Sequence, residues 1–493
     1  MRTIIESNIR RNFLSGVPVF CLVVSILLLC SCNYSYKIMT SPADACLFIN
    51  SERAVPGKDY SSSKNILQIA VSRKGYEAYN HTYTLSDHFS TEEIMVDLKK
   101  KQFQVEIKLV NGQAHYHIDN NLEGTTPFQG VLSYGTHKLV LKKGDLPEQV
   151  YAIEVHKNAE FVFRYQAETL PVQQIGIFSC GLAPKQLNFT PDNRYLFISL
   201  LNGKGFQIFD MREKNIKTTV EVGERADLKG FPEGLFIEHT RSFLISQMTT
   251  DKVFEYSVGQ DGSVSFKRVL ETGGIFCKFM AYNRNLDLLA VSNWCSHNVS
   301  LINYSTGEIE RLLPRLSTPR GVAFDSAGDS LYIASFEGGN FYKYSTDTWQ
   351  EQKRFYRKNA AMRHIALSHD EKRCFVSDMY NCTVYELDAE SLELLHTYSV
   401  YYNPNTIDIS SDSRYLFVSC RGPNNPKGYV LRSPVDGKVM IFDTAAKQLV
   451  ATIQGGNQPT GLDVSSDDRY LVFSNFLDAN FEIWDIQGLY EIN

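Results

Sequence analysis

Seven residues recur at one place in a repeated pattern and carry most of the chemistry in this chain: Lys185, Glu233, Lys278, Arg320, Arg363, Asn405 and Thr460. Each follows a Pro, or the Cys277 or Met362 that replaces it, at the start of an alternating apolar run. Four are basic and one is acidic. Basic side chains gathered around one point would hold an anion such as a carboxylate, a phosphate or an acidic glycan. Arg320 and Arg363 would supply paired donors. A second recurring place follows a Ser at the end of the next apolar run. It holds Leu200, Gln247, Asn293, Phe336, Asp378, Cys420 and Asn475. Just beyond lie Trp294, Tyr380, Arg421 and Phe476. Here Trp294, Tyr380 and Phe476 offer faces for a sugar or an aromatic group, and Arg421 adds a cation.

The same positions admit a second chemistry. Glu233, Asn293, Asp378 and Asn475 are oxygen donors, the ligand type that hard divalent cations such as Ca²⁺ take. If they converge, the site is a metal centre; otherwise no cofactor is expected. Histidines add little: His364 starts an inner run and His297 lies beyond Trp294, without a Ser-His-Asp order or a phosphate loop in the context such motifs need.

The elements that place these residues come from the repeat itself. PKQLNFTPDNRYLFIS (Pro184 to Ser199) returns as PNTIDISSDSRYLFVS (Pro404 to Ser419) and PTGLDVSSDDRYLVFS (Pro459 to Ser474). Weaker copies start at Pro232, Cys277, Pro319 and Met362, so starts fall 42 to 55 residues apart. A third apolar run follows each copy, as in FQIFD from Phe206 and FEIWD from Phe481, and then a fourth, as in LVATIQ from Leu449. A period near 40–50 residues with four period-two strands predicts the blades of a β-propeller. The seventh copy lacks its fourth strand. QQIGIFSCG (Gln173 to Gly181) supplies one upstream and is expected to close the ring, which removes a free sheet edge. The Pro starts and the post-Ser loops then share one rim around the channel. One rim loop, Arg421 to Gly437, is far longer than its counterparts and predicts an ordered, strand-free flap.

This repeat resembles the YVTN/lactonase-like seven-bladed propellers over about residues 172 to 493. The resemblance implies the fold, and for activity either a binder or a lactonase-like hydrolase or lyase with a metal at the channel. The four oxygen donors look like the central metal set of gluconolactonase-type propellers, whose local motifs are not recognisable here.

Upstream, Arg2, Arg10 and Arg11 precede an apolar stretch that ends in Leu29-Cys30-Ser31-Cys32. This resembles a bacterial lipobox, with residues 1–31 as signal peptide, Cys32 as the lipidated residue and 32–38 as a tether. No acidic cluster follows Cys32, which points to the periplasmic side of an outer membrane. Residues 39–100 and 101–168 repeat each other at an offset of about 69 residues, FIN at Phe48 matching HIDN at His117. EGTTPF (Glu123 to Phe128) resembles PEGA domains, small all-β modules that act as spacers. The fold class is therefore all-β, two small modules before a propeller at 169–493. A net charge of −5 excludes nucleic-acid binding by bulk charge. Of ten cysteines, seven remain once Cys21, Cys30 and Cys32 are set aside, and Cys277 with Cys295 is the disulfide candidate at the top of blade three. The expected protein is a membrane-tethered binder or scaffold. Its partners would be the membrane through the lipid and an anionic glycan, small molecule or envelope protein.

Overall fold

The computed structural model describes residues 33–223 and 229–491. The signal segment and Cys32 lie outside the described residues. Contacts divide the chain into two compact units. One runs to Gln104 and also holds Gly130–Thr136 and Glu154–Ala159; the other holds Val105–Gln129, His137–Ile153 and everything from Glu160 onward.

In the first unit, Tyr34–Ser41 is already a strand, parallel to Thr91–Asp97. Residues 34–38, expected as tether, are thus part of the fold: Tyr36 and Ile38 are buried beside Leu47, Ile69 and Val96. The internal repeat is visible in the backbone. Cys46–Ile49 turns through Asn50 and Ser51, and His115–Ile118 in the other unit turns through Asp119 and Asn120, all four with positive φ. Two successive left-handed residues match the twist of a tight hairpin.

From Gln173 onward the chain forms seven four-stranded antiparallel sheets. Six are consecutive in sequence. The seventh takes Gln173–Ser179 as its outer strand against Asn480–Asp485, followed by Tyr470–Asn475 and Pro459–Val464. The second strands read as unbroken apolar runs because both faces are covered by neighbouring blades: Tyr195–Leu200, Ser242–Gln247, Leu288–Asn293, Ser330–Ser335 and Tyr415–Cys420 are buried at every position. The fourth strands are the most exposed, on alternate residues in Asn215–Glu221 and at four successive residues in Glu351–Tyr356. Cores therefore lie between blades: Phe197, Phe206, Phe243, Ile245 and Tyr256 join blades one and two.

The serine of the repeat has a structural task. In blades three, five and six its hydroxyl accepts the backbone N–H of its own inner strand and donates to a carbonyl of the next blade's inner strand. Ser292 accepts from Phe279 at 3.0 Å and donates to the Arg320 carbonyl at 2.9 Å. Ser377 accepts from His364 at 3.1 Å and donates to Asn405 at 2.9 Å. Ser419 accepts from Thr406 at 3.1 Å and donates to Thr460 at 2.9 Å. Each clip sits at a register shift in the inner strand, between Cys277 and Met280, Met362 and Ile365, and Pro404 and Ile407. Such a bulge re-aims side chains. Here it fixes the residue after Pro at the channel.

Blade four departs from the expected frame. Pro319 pairs with Ser335, as Cys277 pairs with Asn293. Ala334 thus takes the place of the clip serine and Ser335 the place expected for Phe336. The stretch from Pro319 to Ser335 is one residue longer than Pro184 to Ser199, so its serine falls one position past the clip.

Candidate functional site at the channel mouth

The residues after Pro do gather. Arg320, Arg363 and Glu233 are buried, and Lys185 and Lys278 are partly exposed. Arg421 arrives from the following loop and is also buried. Close approach of the inner strands is helped at Gly321, where an added Cβ would stand 2.7 Å from the Arg363 carbonyl oxygen. Arg320 donates to Glu233 in a buried ion pair. The other cations have neutral partners. Arg363 Nε donates to Asn405 Oδ1 at 2.7 Å, and Arg421 donates to Gln458 Oε1. Lys278 Nζ lies 3.1 Å from Met248 Sδ, and 4.4 Å and 5.9 Å from the ring centres of Phe276 and Trp294. Lys185 and Arg421 stand on Phe476, at 5.5 Å and 5.6 Å. Among the described residues, three buried donor atoms of the mouth have no partner: Arg320 Nη1, Arg421 Nε and Asn405 Nδ2. Buried donors left unmade are costly unless a ligand completes them.

The electrostatics follow from that crowding. Burial, then the charges of Arg363 and Arg421, hold the Lys185 ammonium well below its ordinary value. Burial and the Arg320 charge bring Lys278 down to about 7. Burial and Arg320 likewise lower Arg363, and burial lowers Arg421 to about 10. Burial pushes the Glu233 carboxyl up, but Arg320 and Lys185 outweigh it and the net shift is downward. His364, with both ring nitrogens unpartnered, is kept neutral by burial, at about 3.

The oxygen-donor set does not form a metal centre. Asn293, Asp378 and Asn475 point back into their own blades. Asn293 Nδ2 donates to Asn298 and Ser300, each at 2.7 Å. Asp378 accepts from the N–H groups of Ala361, Tyr380 and Asn381 and from the Tyr385 hydroxyl. Asn475 donates to Asn480 and Glu482 and accepts from Gly456 N–H. Gln247 caps Thr249 and Thr250 in the same way. Of these four only Glu233 turns to the cation group, and it belongs to Arg320. The physical cause is strand alternation: the serine faces the next blade, so the residue after it faces its own third strand and loop. Among the described residues no three His, Cys, Asp or Glu side chains are grouped to hold a metal ion.

Two further expectations change. Cys277 and Cys295 are both free; Cys277 is buried with Sγ 3.3 Å from the Gln247 carbonyl oxygen, whereas Cys295 is exposed in the rim loop. Tyr380 is exposed and its only described hydrogen bond is the backbone one to Asp378, so it does not join the cation group. Trp294 does reach the mouth, its ring tilted against that of Phe336 with centres 4.8 Å apart. His297 is occupied in receiving the Thr318 N–H at 3.1 Å.

The flap from Arg421 to Gly437 contains no strand and is tied down. Gln458 Nε2 donates to the Tyr429 carbonyl at 2.7 Å, Ser433 and Asn457 exchange two hydrogen bonds, and Arg432 pairs with Asp478. The Tyr429 ring lies 5.5 Å from the Arg421 guanidinium. Sequence reasoning missed Gln458 and Tyr429 as parts of the site, because their roles depend on a contact across two loops.

The other end of the channel has the opposite character. A chamber of about 370 Å³ is lined by Gln186, Asn188, Phe279, His364, Asp408 and Asp463, among others. Asp408 accepts from Val464 N–H and Asp463 from Phe189 N–H, so each clips its strand to the next blade. Burial raises Asp408 to about 6, and burial plus the Asp408 charge raises Asp463 well above the carboxylate range. A separate groove of about 710 Å³ runs past Glu148, Tyr151, Glu168, Trp484 and Glu491; Lys and Arg are absent from its lining.

A ring of seven four-stranded blades with its cations gathered at one mouth defines a class of protein. The family model for the seven-bladed β-propeller lactonases matches residues 340–488. Antigen Lp49 of Leptospira interrogans (serogroup Icterohaemorrhagiae, serovar copenhageni, strain Fiocruz L1-130) is 33% identical over 325 residues, 64% of this chain and 70% of that protein. The chain belongs to this family of lactonase-like seven-bladed β-propellers, with Antigen Lp49 as a homologue.

Proposed function

We propose that this protein is an extracytoplasmic binding or scaffold protein whose channel mouth holds an anionic group of an envelope ligand, glycan or protein partner. The observation that carries the reading is the imbalance at the mouth. Lys185, Lys278, Arg320, Arg363 and Arg421 face a single carboxylate, Glu233, with buried donors unmatched. A fold does not keep such repulsion for stability, since buried unpaired charge is costly. Tethering to a membrane through a lipid on Cys32 belongs to the same proposal. It is supported by the lipobox-like Leu29-Cys30-Ser31-Cys32. The small β modules would then act as spacers.

The test is a screen of anionic glycans and metabolites by thermal shift, followed by titration of Arg363→Ala and Arg421→Ala. Each loss should weaken binding about ten- to a hundredfold, the worth of one charge-assisted contact at roughly 1.5–3 kcal/mol. Lys372→Ala, an exposed site in a turn between the first two strands of blade five, should bind as wild type. A ligand that binds both arginine variants unchanged would place the site elsewhere. A second reading, hydrolysis or lyase chemistry in the same channel, is favoured by the lactonase description of the matching family model and by neutral His364 beside Arg363. Turnover of lactones that is lost in His364→Ala would establish it.

A further inference from the structure

We infer that the group held at the mouth is a doubly charged, proton-free oxyanion, of the kind a phosphate monoester or sulfate presents. This rests on the reading of the mouth as an anion site and goes beyond it in charge and class.

Glu233 neutralises Arg320. Among the described residues, Lys185, Lys278, Arg363 and Arg421 have no carboxylate within ion-pair distance; their partners are amide oxygens, a thioether and aromatic faces. A single negative charge leaves most of that repulsion in place, whereas two remove the larger part of it.

Three acceptors of this layer, Glu233 Oε1, Asn405 Oδ1 and Gln458 Oε1, each receive an arginine N–H. Buried donors without a partner stand beside them, on Arg320, Arg421 and Asn405, residues that are 5%, 7% and 1% exposed. A group bearing its own O–H would set a donor against donors. An ester dianion or sulfate brings acceptors only.

A consequence for protons follows. Without ligand, the Lys278 and Lys185 ammonium groups are held below their ordinary values. A dianion restores their charge, so binding at pH 8 takes up protons.

The experiment is calorimetric titration of the whole chain at pH 8 and constant ionic strength, in two buffers of different ionisation enthalpy. Sodium sulfate, phenyl phosphate and sodium acetate are the probes. Sulfate and phenyl phosphate are expected to bind at least tenfold more tightly than acetate, with net proton uptake. A preference for phenyl phosphate over sulfate identifies the esterified group rather than the free ion. Acetate binding as tightly as sulfate overturns the inference and leaves the anion site standing. Failure of all three probes to bind, with a larger anion captured at the mouth in their place, also overturns it. No anion bound at all removes the site itself.

Discussion

Lys185 shows how a single residue here serves something other than stability. Its ammonium has no described hydrogen-bond partner and stands near Arg363 and Arg421. Lys185→Met keeps the length of the stem and removes the repulsion. The ligand-free protein should gain about 0.5–2 kcal/mol, the usual scale for relieving an unfavourable charge. Anion binding should fall. Thermal melts with and without sulfate check both; a variant that loses stability would mean that Lys185 is a structural residue. At the other end of the channel the carboxyls set a pH dependence. Folding raises Asp408 to about 6 and lifts Asp463 well above the usual carboxylate range. In the unfolded chain both release their protons near pH 4, while the folded chain still holds them. Their contribution is therefore full below pH 4 and is lost as pH rises from about 4 through 6 and beyond. Melting temperature should fall over that range, and Asp463→Asn should flatten the fall. A fall unchanged in the variant would assign it to other groups.

The element that matters most is the inner strand with its serine clip. The strands themselves were legible, since alternation and the Pro-to-Ser frame repeat along the chain. The placing of Lys185, Arg320 and Arg363 at one mouth followed from that frame. The oxygen-donor set was misjudged because proximity to the rim says nothing of direction. One residue further along a strand, the side chain turns from the neighbouring blade to its own loop. Blade four slipped by one because Ala334 carries no hydroxyl to mark the clip. Removing a clip elsewhere tests its worth. Ser377→Ala leaves the Asn405 carbonyl and His364 N–H without their partner, at a cost of roughly 1–3 kcal/mol. Binding should weaken more than this loss of stability explains, because Asn405 also holds Arg363. Urea denaturation and sulfate titration together check it. Equal binding in the variant would separate the clip from the site.

At the scale of the whole ring, closure depends on a segment from far upstream. Gln173–Ser179 completes the seventh sheet. Just before it, Arg164 is buried 3.5 Å from both Glu482 and Asp436, and Gln174 donates to Glu482 at 2.6 Å. The repeat pattern made the missing strand legible, since blade seven visibly lacks one. Arg164 was not legible, because it lies outside the repeat and its partner is 318 residues away. Chains beginning at Phe161, Pro171 and Leu182 should lose stability in two steps. The first step removes Arg164 and strands a buried Glu482, at roughly 3–5 kcal/mol. The second opens the sheet edge and promotes aggregation. Equal melting of the chains beginning at Pro171 and Leu182 would contradict closure by this strand.

The central claim is that the mouth of the propeller exists to hold an anion. Selenate, which mimics sulfate and scatters anomalously, tests it directly in a crystal of the whole chain. The account predicts an anomalous peak within hydrogen-bond distance of Arg320, Arg421 and Asn405, and no comparable peak in Arg363→Ala. A mouth without selenate, in a crystal where the ion binds elsewhere on the surface, would contradict it.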